Sequence, residues 1–194
     1  MTSVSLVDLG YGNLGSIETA LRRLGAEVRR ASDPQAIASA ERLLLPGVGA
    51  ARFAMERIAA LGLSEPLRAF AGPALGICLG MHLLFEESEE GEVRTLALIT
   101  GKVRKLRPKV PLTVPHMGWS KLEVDKEEIG LSHGDYVYFA HSFAAPDGPE
   151  TLARADHGGP IPAVVRSGNW TGAQFHPERS GPAGARFLAR WLAS

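Results

Sequence analysis

Residues 74–80 read ALGICLG, an apolar run that passes directly into a cysteine between two glycines. Four apolar residues in a row are typical of a strand buried on both faces of a parallel sheet. Cys78 follows, and Gly76 and Gly80 lie two residues to either side of it. A nucleophile on a tight strand-to-helix turn needs glycines at these positions, because the turn leaves no room for a Cβ there. We therefore predict a strand over Ala74–Ile77 with Cys78 at its carboxyl end.

The rest of the first half alternates between apolar runs and helical periodicities. Strands are predicted over residues 4–8 and 27–30 and over Arg42–Leu45. Helices are predicted over residues 14–24, 50–61, 65–70 and 79–86. Gly25 closes the first helix, at the position where a left-handed residue is usual. Strand and helix in alternation predict an α/β fold with a doubly wound, mostly parallel sheet.

The second half is richer in strands. Short strands separated by Gly, Pro and Asp turns are predicted over residues 99–106, 112–115, 121–124, 136–143, 152–155, 163–166 and 171–175. A last helix begins at Gly181 and Pro182, with Phe187, Leu188, Trp191 and Leu192 as its buried stripe. No linker or repeat divides the chain, so residues 1–194 are expected to form one domain with a β-rich second half.

Composition excludes several classes of protein. The 21 basic residues balance 21 acidic ones, which argues against nucleic acid or an anionic membrane as a partner. No apolar stretch is long enough for a membrane helix and no secretory signal is present, so a cytoplasmic location is expected. A single cysteine excludes an internal disulfide. The histidines outside the catalytic candidates show no metal-ligand spacing (His116, His133, His141 and His157), and neither a metal nor a cofactor is expected.

A thiolate nucleophile needs a general base and a group that orients the base. His176 precedes Glu178 by two residues, and in an extended segment this spacing points both side chains the same way. We predict Cys78 as nucleophile, His176 as base and Glu178 as its partner. His82 is a rival base, because it lies four residues after Cys78 on the same helix face. The start of that helix should also favour the thiolate.

Acyl transfer also requires donors for the oxyanion. The backbone N–H of Leu79, directly after the nucleophile, is one candidate. The second candidate is the peptide between Val48 and Gly49, in the Pro-Gly-Val-Gly turn that ends the strand before the elbow. Glycines there let a peptide group turn toward the site.

Three other functions are consistent with parts of the sequence. Residues 10–15 read GYGNLG, a G-x-G-x-x-G pattern between a strand and a helix, and Arg29 and Arg30 end the next strand. Together they match an NADP-binding Rossmann site, although such a site leaves the cysteine elbow unexplained. A cysteine peptidase or related hydrolase would use the same elbow. A third possibility is an interaction subunit whose active site has decayed.

The motifs together resemble the triad, or class I, glutamine amidotransferases, and most closely the glutaminase subunits of imidazole glycerol phosphate synthase. The resemblance is carried by blocks spread in order over most of the chain: DLGYGNLGS at 8–16, LPGVGA at 45–50, GICLGMHLLFEESEE at 76–90, PHMGW at 115–119, YFAHSF at 138–143 and GAQFHPERS at 172–180. Two positions depart from the family pattern. His82 stands where Gln is more common, and Ser120 stands where Asn is more common.

This resemblance implies a flavodoxin-like fold and a Cys78–His176–Glu178 triad that hydrolyses L-glutamine. It implies substrate contacts from Gly47, Val48, Gly49, Leu79, His82, Ser142 and Phe143. It also implies a heterodimer with a (β/α)₈-barrel cyclase subunit, through which the ammonia passes. The 10–15 loop would face that partner, and the interface would include Asn13, Trp119, Tyr138 and Arg179.

Overall fold

The computed structural model describes residues 2–12, 14–47, 49–107, 110–125 and 127–194, with Glu127 described in its backbone alone. The α-helices are α1 (Gly15–Arg23), α2 (Pro34–Ala38), α3 (Ala51–Ala60), α4 (Ser64–Ala69), α5 (Leu79–His82) and α6 (Gly181–Leu192). The strands are β1 (Ser3–Val7), β2 (Glu27–Ala31), β3 (Arg42–Leu45), β4 (Ala74–Ile77), β5 (Glu87–Ser88), β6 (Val93–Arg94), β7 (Lys102–Lys105), β8 (His116–Val124), β9 (Tyr136–His141), β10 (Phe143–Ala144), β11 (Thr151–Asp156), β12 (Pro160–Ser167) and β13 (Trp170–Ala173). Short 3-10 turns occupy Glu127–Ile129 and Pro177–Arg179.

The main sheet joins both halves of the chain. Its order is β2-β1-β3-β4-β13-β12-β11-β8-β9. The first five strands run parallel, and their order is the 2-1-3-4-5 order of flavodoxin-like sheets. The other four continue the same sheet in antiparallel pairs. A smaller sheet has the order β10-β7-β5-β6. The predicted fold, with its β-rich second half, is therefore confirmed.

Helices cover both faces of the parallel strands. On one face α1 and α6 pack through residues that include Ile17, Leu21 and Phe187. On the other face α2, α3 and α4 contribute Ile37, Ile58 and Leu67. Every residue of β4 and β13 is buried as a result, which explains why β4 reads as a continuous apolar run. None of the helices in the described ranges combines the length and apolarity needed to cross a bilayer.

The helix predicted over residues 79–86 is wrong in length, because α5 ends at His82. The next carbonyl groups bond to a later segment instead of continuing the helix: Leu83 O accepts from Leu96 N–H at 2.9 Å, and Leu84 O accepts from Leu98 N–H at 2.8 Å. These long-range partners replace the i−4 bonds that a longer helix would need.

One predicted strand and one unpredicted helix also distinguish the structure from the expectation. The strand predicted over residues 112–115 forms only an isolated bridge at Leu112, and β8 begins at His116. Prolines at 111 and 115 lack the N–H groups that a strand donates. Helix α2 was not predicted, although its start is well marked. Asp33 accepts a hydrogen bond from Ala36 N–H at 2.9 Å and Pro34 opens the helix.

Candidate active site

Cys78 lies on a strained turn at the carboxyl end of β4. Its φ is 50° and its ψ −107°, a region that side chains rarely adopt and that costs about 1–3 kcal/mol. A backbone hydrogen bond of 2.6 Å from Cys78 N–H to Ala173 O ties the turn to β13. The side chain is nearly buried, and its Sγ lies 3.9 Å from both Ala140 O and Gln174 Nε2.

The two glycines of the elbow are required by close backbone contacts. A Cβ on Gly76 would lie 2.5 Å from Gly80 O, and a Cβ on Gly80 would lie 2.1 Å from Leu45 O. The turn therefore folds back on itself and presses against the end of β3. This is the steric reason that the sequence pattern led us to expect.

Helix α5 stabilises a Cys78 thiolate less than the sequence suggested. Its four residues make a single turn, whereas the expected eight-residue helix would align more peptide dipoles toward the sulfur. Most of the stabilisation of an anion at Sγ must therefore come from neighbouring side chains and individual N–H groups.

His176 follows β13, the strand beside β4, and its backbone is held on both sides. Its N–H donates to Tyr138 O at 2.9 Å. The hydroxyl of Ser180 donates to His176 O at 2.6 Å and accepts from Tyr138 N–H at 3.0 Å. The fully buried Ser180 thus connects the histidine to β9. Sequence reasoning missed this residue, which looked like an ordinary helix cap before Gly181.

The imidazole of His176 lies between Glu178 and Cys78. Glu178 Oε1 is 2.9 Å from Nδ1, so Nε2 is the nitrogen left for the sulfur. Burial lowers the pKa of His176, but hydrogen bonds and charges from Cys78 and Glu178 outweigh burial and raise the pKa to about 10. The raised pKa favours the imidazolium form of His176 at neutral pH.

A cavity of about 340 Å³ opens in front of Cys78. It is lined by Gly49, Cys78, Leu79, His82, Glu90, Pro115, Met117, Ala140, His141, Ser142 and Phe143. The structure thus brings together five of the predicted substrate residues, from Gly49 to Phe143. Gly47 lies behind the nucleophile instead, where a Cβ would be 2.7 Å from that of Cys78. Val48 lies outside the described residues.

Glu90 is a cavity residue that sequence reasoning missed. Among the described residues that line the cavity it is the one carboxylate. Its Oε2 accepts from Ala51 N–H at 3.0 Å. Burial raises the pKa of Glu90, and the bond from Ala51 opposes this rise. The residue ends the run EESEE at 86–90, and such runs usually form a solvated face, which hid the signal.

His82 forms a hydrogen bond with another buried side chain. Its Nε2 lies 2.6 Å from Gln174 Oε1. Burial lowers the pKa of His82 to about 4, although the bond to Gln174 raises it in part. The imidazole is neutral at pH 7. Gln174, which is 0% exposed, also faces Cys78 and was not singled out from the sequence.

Three histidines that lie far apart in sequence pack together at the cavity wall, where His141 lines the cavity. His116 stacks on His157 with ring centroids 4.1 Å apart, and its Nδ1 is 3.0 Å from His141 Nε2. Burial lowers the pKa of His116 to about 4 and that of His141 to about 3. No group of three potential ligands in the described ranges has metal-binding geometry.

The hydrogen-bond partners determine which nitrogens of this cluster carry protons. The 2.8 Å contact between His141 Nδ1 and Phe143 O requires a proton on Nδ1, because a carbonyl only accepts. Neutral His141 therefore accepts at Nε2 from His116 Nδ1–H. His116 then accepts at Nε2 from the Ser120 hydroxyl, 2.8 Å away. The cluster fixes the Phe143 carbonyl at the cavity.

The predicted interface residues lie on the rim beside the site. Trp119 on β8 is 55% exposed and directly opposes Tyr138 on β9, with ring centroids 6.1 Å apart. Arg179 is exposed one residue after Glu178. Asn13 lies outside the described residues.

Comparisons with known proteins identify the family. The model of the family "Glutamine amidotransferase class-I" matches residues 5–194. This chain belongs to the class-I glutamine amidotransferases. It is 50% identical over 195 aligned residues to "Imidazole glycerol phosphate synthase subunit HisH" of Xanthomonas euvesicatoria, with 99% of this chain and 98% of the relative covered. It is 49% identical to the HisH subunit of Xylella fastidiosa at the same coverage.

Solved structures agree on the fold. A crystal structure of a glutamine amidotransferase superposes with a TM-score of 0.76 at 21% identity, covering 98% of this chain and 99% of the other. The structure of PurLQS from Thermotoga maritima gives a TM-score of 0.72 at 19% identity, covering 98% of this chain and 97% of the matched chain. At such identities the likeness establishes the amidotransferase fold alone.

The alternative of an NADP site at residues 10–15 is not supported. In this class-I glutamine amidotransferase the Tyr11 ring packs against Gly49, whose Cβ would lie 2.6 Å from Tyr11 Cε2. Arg30 is paired with Asp8 and Glu18, at 3.3 Å each. Tyr11 thus packs against the turn after β3, and Arg30 already forms ion pairs with two carboxylates instead of facing a site for the NADP phosphate.

Proposed function

We propose that this chain is the glutaminase subunit of an imidazole glycerol phosphate synthase. It hydrolyses L-glutamine to glutamate and ammonia and delivers the ammonia to a cyclase subunit in histidine biosynthesis. The observation that carries this proposal is the position of Cys78. Cys78 lies on a strained elbow and its side chain interacts with His176, which is hydrogen-bonded to Glu178. The same side chain lines a cavity of about 340 Å³, a volume suited to a single amino acid.

The chemistry begins at the Cys78 thiolate, which attacks the side-chain amide carbon of glutamine. The imidazolium of His176 gives its Nε2 proton to the amide nitrogen, and ammonia leaves as the C–N bond breaks. A thioester now joins Cys78 to the glutamyl group. Neutral His176 takes a proton from water, and the resulting hydroxide attacks the thioester carbon. Glutamate leaves, and the thiolate–imidazolium pair is restored.

Two backbone donors stabilise the tetrahedral oxyanion in this proposal. The Leu79 N–H begins α5 and has no acceptor inside that helix. The peptide between Val48 and Gly49 supplies the second donor. Gly49 lines the cavity and has a φ of 84°, a left-handed conformation that glycine adopts more readily than other residues.

The cavity wall offers a carboxylate for the α-ammonium group at the other end of glutamine. We assign the α-ammonium group to Glu90, because its carboxylate faces the cavity without a cationic side chain among the other lining residues. The backbone of Ser142 and Phe143 lines the same cavity and is held by His141. Gly47 lies behind Cys78 and contributes only by its lack of a side chain, which leaves space for the elbow.

We place the cyclase subunit, a (β/α)₈ barrel, against the rim formed by β8 and β9. The relatives named above are subunits of a synthase. Met117, Trp119 and Tyr136 expose 65%, 55% and 56% of their surface on these two strands, and clustered exposed apolar side chains mark protein interfaces. Tyr138, Arg179 and Asn13 would complete the contact. One amidotransferase domain over residues 1–194 and a cytoplasmic location complete the proposal.

The test is glutamine turnover and cyclase product formation, measured with the cognate cyclase partner and its ligand. Cys78→Ala should abolish glutamine-dependent synthesis and leave synthesis from added ammonium salts intact, because only the source of ammonia is lost. His133→Ala, at an exposed loop position, is the control. Glutamine-dependent synthesis that survives in Cys78→Ala would refute the assignment.

A further inference from the structure

Gln174 lies between the proposed nucleophile, Cys78, and His82, which has no part in the proposed reaction. Its Oε1 is 2.6 Å from His82 Nε2, and its Nε2 is 3.9 Å from Cys78 Sγ. The side chain is fully buried. A buried amide needs partners for both of its ends, and here the partners are a histidine and the nucleophile.

The backbone holds this amide in place. Gln174 follows β13 directly, and its N–H donates to Ala163 O on β12 at 2.9 Å. Cys78 is tied to the same strand through Ala173 O. Backbone hydrogen bonds at the consecutive residues Ala173 and Gln174 thus hold the nucleophile and the amide to the same sheet, which limits their relative movement.

His82 decides which end of the amide faces the sulfur. When His82 carries its proton on Nε2, it donates to Gln174 Oε1, and the Gln174 NH₂ group must turn toward Cys78. In the opposite orientation the carbonyl oxygen would face an anionic sulfur, which is repulsive, and His82 would have to accept. The contacts with the sulfur and the histidine therefore favour the same orientation.

We propose that Gln174 donates a hydrogen bond to the Cys78 thiolate and that His82 is the positioning residue that aims this donor. The inference rests on Cys78 being the nucleophile of the proposed function. It gives His82 a role other than that of a rival base. The hydrogen bond from Gln174 would also stabilise the Cys78 thiolate, which the single turn of α5 stabilises only weakly.

Alkylation of the full chain by iodoacetamide across pH measures thiolate formation directly. Cys78 is the one cysteine of the sequence, so every alkylation event reports on it. Within the described ranges, the other titratable groups near the sulfur are His176 and Glu178 on one side, and His82, Glu90 and His141 around the cavity. Each of these except His82 is unchanged in the variants below.

Gln174→Met removes the donor with little change in volume, and His82→Leu removes the group that aims it. Both should move the midpoint of the alkylation profile to higher pH, by about one pH unit, because a lost charge-assisted hydrogen bond disfavours the anion. His82→Gln should restore the wild-type midpoint, since a glutamine amide can donate to the same oxygen. Gln35→Met and His133→Leu, both at exposed positions, are the matched controls.

An unchanged midpoint in Gln174→Met and His82→Leu would overturn the proposal, as would equal shifts in His82→Leu and His82→Gln. The wild-type chain provides a test independent of folding in the variants. Nitrogen-15 NMR should find neutral His82 with its proton on Nε2, and a proton on Nδ1 would contradict the inference. These readouts need no glutamine turnover. They can therefore fail while the proposed function stands, and the reverse also holds.

Discussion

Replacing Glu178 by Gln removes one negative charge from the site and keeps the shape of the side chain. The amide oxygen can still accept from His176 Nδ1–H, where the carboxylate now lies at 2.9 Å. Glu178 Oε2 is buried without a hydrogen-bond partner among the described residues. The amide nitrogen that replaces this oxygen therefore breaks no existing hydrogen bond, and the change isolates the charge.

The expected size of the effect follows from the burial of the pair. The side chains of His176 and Glu178 are 17% and 10% exposed, so solvent screens their interaction little. A charged hydrogen bond contributes about 1.5–3 kcal/mol and a neutral one about 1 kcal/mol, so the loss is about 0.5–2 kcal/mol. At 1.36 kcal/mol per pKa unit, the pKa of His176 should fall from about 10 by about one unit. Glutamine turnover should fall by roughly 2- to 30-fold, because the imidazolium is less stabilised and each 1.36 kcal/mol corresponds to a factor of ten in rate.

Two measurements check this prediction. Turnover is measured with the cyclase partner and its ligand, and the His176 pKa by nitrogen-15 NMR of the same variant. Glu65→Gln is the control, because the Glu65 side chain is 83% exposed and lies outside the site. A variant that keeps turnover within about twofold of wild type and an unchanged His176 pKa would refute the electrostatic role of Glu178.

Three further outcomes are expected. Gly80→Ala should lower the free energy of unfolding, measured by urea titration, by about 3 kcal/mol or more, because the added Cβ would lie 2.1 Å from a backbone oxygen. Gly148→Ala is the control and should cost far less, because its Cβ would meet only a side-chain carboxylate at 3.3 Å. His82 takes up a proton in the unfolded chain at its ordinary pKa near 6.5 but in the folded chain only near 4, so stability should fall as pH drops from about 6.5 to about 4. His82→Gln should reduce the slope of unfolding free energy against pH in this window by about one proton, and an unchanged slope would contradict the burial argument. Trp119→Ala should weaken cyclase binding by about 1–3 kcal/mol in calorimetry without changing the melting temperature, whereas Val110→Ala, at a residue 95% exposed, should leave binding unaltered.

The fold could be predicted in outline because its strands carry local signals. Arg42–Leu45 and Ala74–Ile77 were predicted with their observed bounds, since each is a short apolar run ended by proline, glycine or the elbow. The end of α5 could not be predicted, because it depends on carbonyl bonds to residues 96–99 that local periodicity does not contain. Long-range pairing also placed most strands of the β-rich half in the main sheet, whereas β7 and β10 joined the smaller sheet.

The candidate site divides in the same way. Cys78, His176 and Glu178 have recognisable spacings, and the structure brings them together. Gln174 has no signal of its own, since one glutamine before an aromatic residue is an ordinary strand end. The same limit applies to the histidine cluster at the cavity wall, whose members, His116, His141 and His157, gain their contacts only when β8, β9 and the turn after β11 are assembled.

The position of β13 has a consequence for biosynthesis of the chain. Of the described strands this one is synthesised last, yet it lies between β4 and β12 in the middle of the sheet. A growing chain that has already made Cys78 therefore lacks β13, whose Ala173 accepts from the Cys78 N–H. It also lacks Gln174 and His176, which follow that strand. Pairing over such sequence separations is slow to form. The nucleophile consequently stays without its base until the sheet closes around its last strand, and a prematurely ended chain carries an incomplete site.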